Sequence, residues 1–205
     1  MRSVRNLGVR ILSVSALVMA LLHPAWAGAP TDTLREYTDA VQKVLDDPAL
    51  KSDERRHERR AAVRKLAIEA FDVQETARRA LGPHWQQRTP AEREEFVQLF
   101  ADLLERTYIA RLDEYGGERI RYVGESIDGE LATVRARIVT RAGVEVPVES
   151  RMVRRGERWL IYDVLIENVS LVGTYRSQFD RIIKSDSFAD LLRRLREKGQ
   201  VADAR

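Results

Sequence analysis

Residues 131–152, LATVRARIVTRAGVEVPVESRM, decide the fold. From Leu131 to Thr140 the chain alternates. Ala132, Val134, Ala136 and Ile138 fall on one side, and Thr133, Arg135 and Arg137 on the other. Arg141-Ala142-Gly143 then turns the chain. Val144, Val146, Val148, Ser150 and Met152 oppose Glu145, Pro147, Glu149 and Arg151. A period of two is the strand period, so this stretch is an antiparallel hairpin with one apolar and one charged face.

The pattern extends in both directions. Arg119 to Val123 is a short strand, joined to the hairpin through the Asp128-Gly129 turn. Arg155-Gly156 turns again, and Trp159 to Ile166 is apolar on both faces except at Asp163, which suits a central strand. The whole is an antiparallel meander of about four strands.

Around the meander the period becomes helical. Thr33 with Glu36 reads as a capping box, followed by a stripe of Leu34, Tyr37, Val41, Val44 and Leu45. Asp53 to Lys65 reads as a solvated helix laced with ion pairs, and Val63, Leu66, Ala67 and Ala70 supply its inner side. Asp72 and Glu75 open another helix, which Gly82-Pro83 stops. Thr89-Pro90-Ala91-Glu92 combines a capping Thr, Pro at the first position and Glu at the third. The helix it starts is expected to run to about Tyr115, with Phe96, Leu99, Phe100, Leu103, Leu104, Tyr108, Ile109 and Leu112 on its apolar stripe. Two more helices are expected over Leu171–Lys184 and Ser187–Lys198. The fold class is therefore α+β: a curved antiparallel four-stranded sheet with several helices packed on one face.

The N-terminus reads as a leader. Arg2, Arg5 and Arg10 precede an uncharged, mostly apolar run from Ile11 to Leu22, and Ala25-Trp26-Ala27 is a cleavage signal. Residues 1–27 are the expected signal peptide and residues 28–205 a single domain. The apolar run would span ~18 Å as a helix, too short for a ~30 Å hydrocarbon core. The formal charge of +3 comes from the leader, which holds three arginines and no acid, so the rest is neutral. Nucleic-acid binding loses its electrostatic basis. The absence of Cys excludes a disulfide framework, thiolate metal sites and a cysteine nucleophile, and suits an oxidising compartment.

Catalytic signals are sparse. His23 leaves with the leader, and neither His57 nor His84 has a partner at metal-ligand spacing, so no metal is expected. Asp163 alone invites an enzymatic reading, as a buried general base. The competing reading is a structural acid bonded to backbone amides or an arginine. No second catalytic group accompanies Asp163, so we read it as structural and the protein as a non-enzyme. The small residues on the apolar sheet face leave volume that either helix side chains or a ligand would fill.

Two ordered motifs carry a resemblance. One is Phe71-Asp72 … Ala80-Leu81-Gly82 … His84-Trp85, continuing through Thr89-Pro90, Phe96, Phe100, Leu104 and Thr107-Tyr108. The other is Trp159-Leu160-Ile161-Tyr162-Asp163-Val164, then Ile166 to Val172 and Tyr175-Arg176-Ser177-Gln178-Phe179. Together they resemble the MlaC-type, or toluene-tolerance, family over essentially the whole mature chain. Asn168 stands where the family usually has Gly, and Asn best tolerates a left-handed backbone after Gly. The resemblance implies an NTF2-like cone with a lipid cavity and no cofactor beyond the cargo. It implies a soluble periplasmic carrier of phospholipid. Its partners would be the MCE-domain subunit of an inner-membrane ABC transporter and an outer-membrane lipoprotein complex. Some members of the family are associated with hopanoids. With the resemblance in hand, the cavity wall is placed on Leu99, Leu103 and Tyr108 of the long helix and on Val134, Val146, Val148, Met152, Tyr162, Val164 and Ile166 of the sheet. The Tyr162 face of the last strand is chosen because it keeps the Asp163 carboxylate out of the acyl environment.

Overall fold

The computed structural model describes residues 29–109 and 115–203. The expected leader and Leu112 lie outside these residues. The alternating stretches form the strands β1 (Arg119–Asp128), β2 (Leu131–Val139), β3 (Glu145–Arg155) and β4 (Arg158–Ile166). A two-residue fifth strand, β5 (Val169–Ser170), completes an antiparallel sheet in the order β1-β2-β3-β4-β5. The loop into β5 is Glu167-Asn168, and both residues have positive φ, 50° and 66°. This is the left-handed backbone that a two-residue hairpin loop of this kind requires, and Asn168 meets it at little cost.

The described residues also form six α-helices: α1 (Pro30–Asp46), α2 (Arg56–Ala70), α3 (Val73–Leu81), α4 (Pro90–Tyr108), α5 (Leu171–Ser185) and α6 (Phe188–Asp203). Pro30 at the first turn starts α1 ahead of the Thr33 box expected from sequence. The box at Thr89 forms in full, with Thr89 and Glu92 exchanging side-chain and backbone hydrogen bonds. α4 is ~28 Å long over Pro90–Tyr108, and residues 110–114 of the expected helix lie outside the described residues.

The helices are not gathered on one face as the sequence suggested. α1 runs along β1 on the face that carries Val134. Thr31 N–H donates to Glu125, Thr38 and Tyr122 share a 2.6 Å hydroxyl contact, and Gln42 donates to the Glu118 carbonyl. α2 packs beside α1. The chain then crosses the free edge of β4, where Phe71 bridges Ile161 and the Asp72 amide donates to the Ile161 carbonyl at 2.8 Å. Beyond this crossing, α3 and α5 pack against β4 on the other face of the sheet, joined to Arg155 of β3 and Asp163 of β4.

The crossing divides the interior. One buried cluster joins Leu34, Ala70, Ala132, Val134, Met152, Trp159 and Ile161. The other lies among helices and includes Ala77, Leu81, Phe96, Phe100, Leu103, Phe179, Phe188 and Leu191. Aromatic edges meet faces in the second cluster, with Phe100 5.0 Å from Tyr175 and Phe96 5.6 Å from Phe179. A domain of this size more often has one contiguous core.

An ion cluster with enclosed carboxylates and solvent-facing arginines holds α3 to the end of the sheet. Glu75 accepts from Arg78 and Arg79, and Arg155 reaches Asp72 at 2.7 Å and Glu75 at 3.5 Å. The Arg78 hydrogen bonds, and then those of Arg79, pull the Glu75 carboxyl down to about 2 against the desolvation that raises it. A carboxyl depressed in the folded state stabilises above its unfolded pKa. That contribution is lost as pH falls from about 4.5 towards about 2. Wild-type protein should therefore lose stability across this window. Glu75→Gln should be about 2–3 kcal/mol less stable at neutral pH and show a shallower acid decline, as read by urea unfolding over a pH series.

Candidate functional site: an uncovered apolar end of the sheet

Cross-strand pairing assembles the site. Val134 faces Ser150, and Ser150 faces Val164. In the next row Tyr122, Ala136, Val148 and Ile166 line up across four strands. In the row after that, Ile120, Ile138 and Val146 line up across three. Directly opposed residues share a face, so these rows form one apolar surface. Towards the middle of the sheet it is sealed, since Val134 and Met152 have no exposure at all. Towards the end it opens. Ile120, Ile138, Val146 and Val148 are half-buried and belong to neither core cluster, and Ile166 is 48% exposed. Val144 and Val169, at 58% and 63%, stand exposed at the same end.

Of the residues expected on a cavity wall, Val134, Val146, Val148, Met152, Val164 and Ile166 do come together on this face. Tyr162 does not. Arg151 pairs with Asp163 while Met152 pairs with Ile161, so Tyr162 is the extra residue of a β-bulge. The bulge shifts the alternation by one. Trp159 and Ile161 therefore join Val164 and Ile166 on the apolar face, although simple alternation set them apart. The Tyr162 ring lies 3.9 Å under the Arg79 guanidinium, and its carbonyl accepts from Thr76.

The helical half of the expected wall also lies elsewhere. Leu103 is buried in the helical cluster and Leu99 packs against it. α4 packs on α3 and α6, whereas α1 lies along β1 and β2 on the apolar face. The reason is the aromatic pairing of Phe96 and Phe100 with α5 and α6, which turns the α4 stripe to the helices. Tyr108, at the end of α4, is 40% exposed. A salt bridge of 2.8 Å between Arg64 and Glu105 ties α2 to this part of α4. Ile120 and Ile138 were missing from the expected wall. The alternation already put Ile138 on the right face, and only the register of β1 reveals Ile120.

Asp163 is 2% exposed and its oxygens are engaged. Ser170 Oγ donates to it at 2.7 Å, the Val172 amide donates at 3.0 Å, and Arg151 lies 3.5 Å away. Ser170 also caps α5 by accepting from the Gly173 amide at 2.8 Å. Asp163 thus fixes the start of α5 to the sheet, on the face opposite the apolar rows.

A family model described as MlaC protein matches residues 35–197. The chain belongs to the MlaC family. A relative from Haemophilus influenzae, the "Intermembrane phospholipid transport system binding protein MlaC", is 21% identical over 143 residues, 67% of each chain. The fold is also similar to a solved structure from Ralstonia solanacearum, a phospholipid-binding protein in complex with a phospholipid. The TM-score is 0.74 at 24% identity, with 86% of this chain and 99% of that one covered. Within this MlaC fold no described helix is long and apolar enough to cross a membrane.

The engagement of Asp163 makes a clear expectation for this MlaC chain. Asp163→Asn keeps one acceptor and loses the charge, and should destabilise by about 1–3 kcal/mol. Asp163→Ala, which strips both α5 contacts, should cost more. Calorimetric unfolding of the two variants ranks them, and equal stability of all three proteins would contradict the anchoring role.

Proposed function

We propose that this protein is a periplasmic carrier that shuttles phospholipid between an outer-membrane lipoprotein complex and the MCE-domain subunit of an inner-membrane ABC transporter. The observation that carries the reading is the uncovered apolar end of the sheet, which neither core cluster fills. The similar proteins, one a phospholipid transport-system binding protein and the other solved in complex with a phospholipid, support the same cargo class.

The physics of the cargo suits this surface. Exposing an acyl chain to water costs about 0.8 kcal/mol per methylene, or roughly 11 kcal/mol for 14 of them, so a lipid needs a sheath to cross an aqueous gap. Val134 to Ile138 spans ~14 Å along the strand. That is close to the ~15 Å depth of one leaflet. In this reading Val134 and Met152 form the floor, and tails lie against Val146, Val148, Val164 and Ile166. The head group stays wet at the open end. Tyr108 belongs to the rim, while Leu99, Leu103 and Tyr162 act through packing alone. The chain then works as one unit over residues 28–205, after removal of the leader at 1–27. No chemistry on the cargo is required, so the protein acts as a binder and not an enzyme.

Charge placed on the wall tests this. Val148→Glu sits on a half-buried position and should stay folded, with a stability loss of about 1–2 kcal/mol. It should lose most of the phospholipid that mass spectrometry finds in organic extracts of the wild type. Glu149→Lys, on the opposite face, should retain it. Met152→Glu should unfold, because Met152 is fully enclosed. Retention of lipid by folded Val148→Glu would put the tails elsewhere, and a hopanoid in the wild-type extract would overturn the cargo class.

A further inference from the structure

The other face of the sheet is open over β1, β2 and β3, and it is built unlike a merely solvated surface. Pairing sets Arg121 directly opposite Arg137, and Arg135 opposite Glu149. Arg119 and Arg151 lie on the same face, in rows on either side. Like charges directly opposed on a sheet repel. Glu145 holds Arg121 and Arg137 together, bonding the first and lying 3.3 Å from the second. Arg119, Arg121, Arg135, Arg137 and Arg151 thus share this part of the face with Glu145, Glu149 and the Asp163 carboxylate beneath Arg151. Among them lies an open groove of about 150 Å³. Val123, Pro147 and Leu165 line it with Arg135, Arg137 and Glu149, and Ala136, Val148 and Asn168 also border it. Val123 is 52% exposed there.

We propose that this face is a docking surface for a protein partner that presents one apolar side chain flanked by carboxylates. A groove of this volume is small for a lipid or a cofactor, whose sites begin at roughly 300 Å³. It is large enough for one side chain. An apolar anchor ringed by charged groups that exclude water is the usual form of an interface hot spot. A bilayer responds to summed charge, and here the acids interleaved with the arginines cancel most of it. The interleaving instead asks for carboxylates at set positions, facing Arg135 and Arg137. Arg135, Arg137, Pro147, Glu149 and Leu165 alternate away from the cargo face, so docking here leaves most of that face free. The groove is also near the open end, since Glu149 and Leu165 adjoin Val148 and Ile166 in sequence. A partner seated here would hold the cargo opening close to its own lipid site. In naming that partner as one of the two membrane complexes, the proposal rests on the carrier reading.

The test uses the mature chain with Arg135→Glu/Arg137→Glu, the milder pair Arg135→Gln/Arg137→Gln, and Val123→Asp. Thermal unfolding checks that each is folded. Binding to the purified MCE-domain subunit and to the outer-membrane lipoprotein complex is followed by surface plasmon resonance at low and high salt. Flotation with phosphatidylglycerol vesicles is run beside it. The glutamate pair should weaken binding to at least one complex by about tenfold or more, mostly through a slower on-rate and a flatter salt dependence. Val123→Asp should act mainly on the off-rate. Co-purified lipid should match the wild type in all three. Wild-type affinity in the variants, or no binding of the wild type to either complex, overturns the proposal. So does vesicle binding that is lost in the variants while both complexes still bind. Lipid content judges the carrier reading separately: lipid-free protein that still docks through these residues would sink that reading and leave the docking surface standing.

Discussion

The bulge at Tyr162 is the constraint on which the rest of the structure depends. β4 must serve two interiors at once. Its first half, with Trp159 and Ile161, belongs to the cluster under α1 and α2. Its second half must send Asp163 and Leu165 to the opposite face, where α5 begins, and still keep Val164 and Ile166 in line with Ser150 and Val148. Strict alternation cannot satisfy both, because Ile161 and Val164 are an odd number of residues apart. One extra residue resolves the conflict. Its carbonyl is taken up by Thr76 and its ring by Arg79, so the irregularity is satisfied from α3 instead of being left open.

The split of the core follows from the same place. Residues 70–72 pass over the free edge of β4 beside the bulge, which carries the chain from one face to the other. Helices before the crossing cover the sheet, and helices after it mainly cover each other. The aromatic residues of α4, α5 and α6 then bury themselves without using the sheet. Among the described residues, Ile138, Val146 and Val148 belong to neither cluster. A compact single core would have consumed this apolar surface. A divided one leaves it available, and that is a property a carrier needs and an ordinary packed domain does not.

The meander was legible in the sequence because alternation over Leu131–Met152 has no helical equivalent, and the Thr89 box because its four residues interact only with one another. The face shared by Val134, Val146 and Val148 was legible for the same reason. The bulge was not, because an added residue in an apolar strand changes no residue type and leaves no break in the pattern. The position of α4 was not legible either. A stripe of Phe96, Phe100 and Leu103 states that one side of the helix is buried, but helices and sheets offer equally apolar surfaces to it. The choice between them lies in the partners Phe179 and Phe188, some 80 residues away.

The two faces of the sheet differ by the same alternation that made the strands visible. Successive residues of β3 point in opposite directions, so Val146 and Val148 meet the apolar side while Glu145 and Glu149 meet the arginines of β1 and β2. Each face can then change without the other. The ion pairs on the charged face are half-exposed and contribute little to stability one by one. Their arrangement is therefore not explained by a need to hold the sheet together, which the cross-strand ladders and the α1 contacts already do. A pair of opposed arginines bridged by one glutamate costs repulsion that a random solvated face would avoid. Its retention beside an apolar groove is better accounted for by recognition than by folding. The thinness of the sheet, with cargo proposed on one side and recognition on the other, gives a short physical path by which docking and loading can be kept close in space yet separable by mutation.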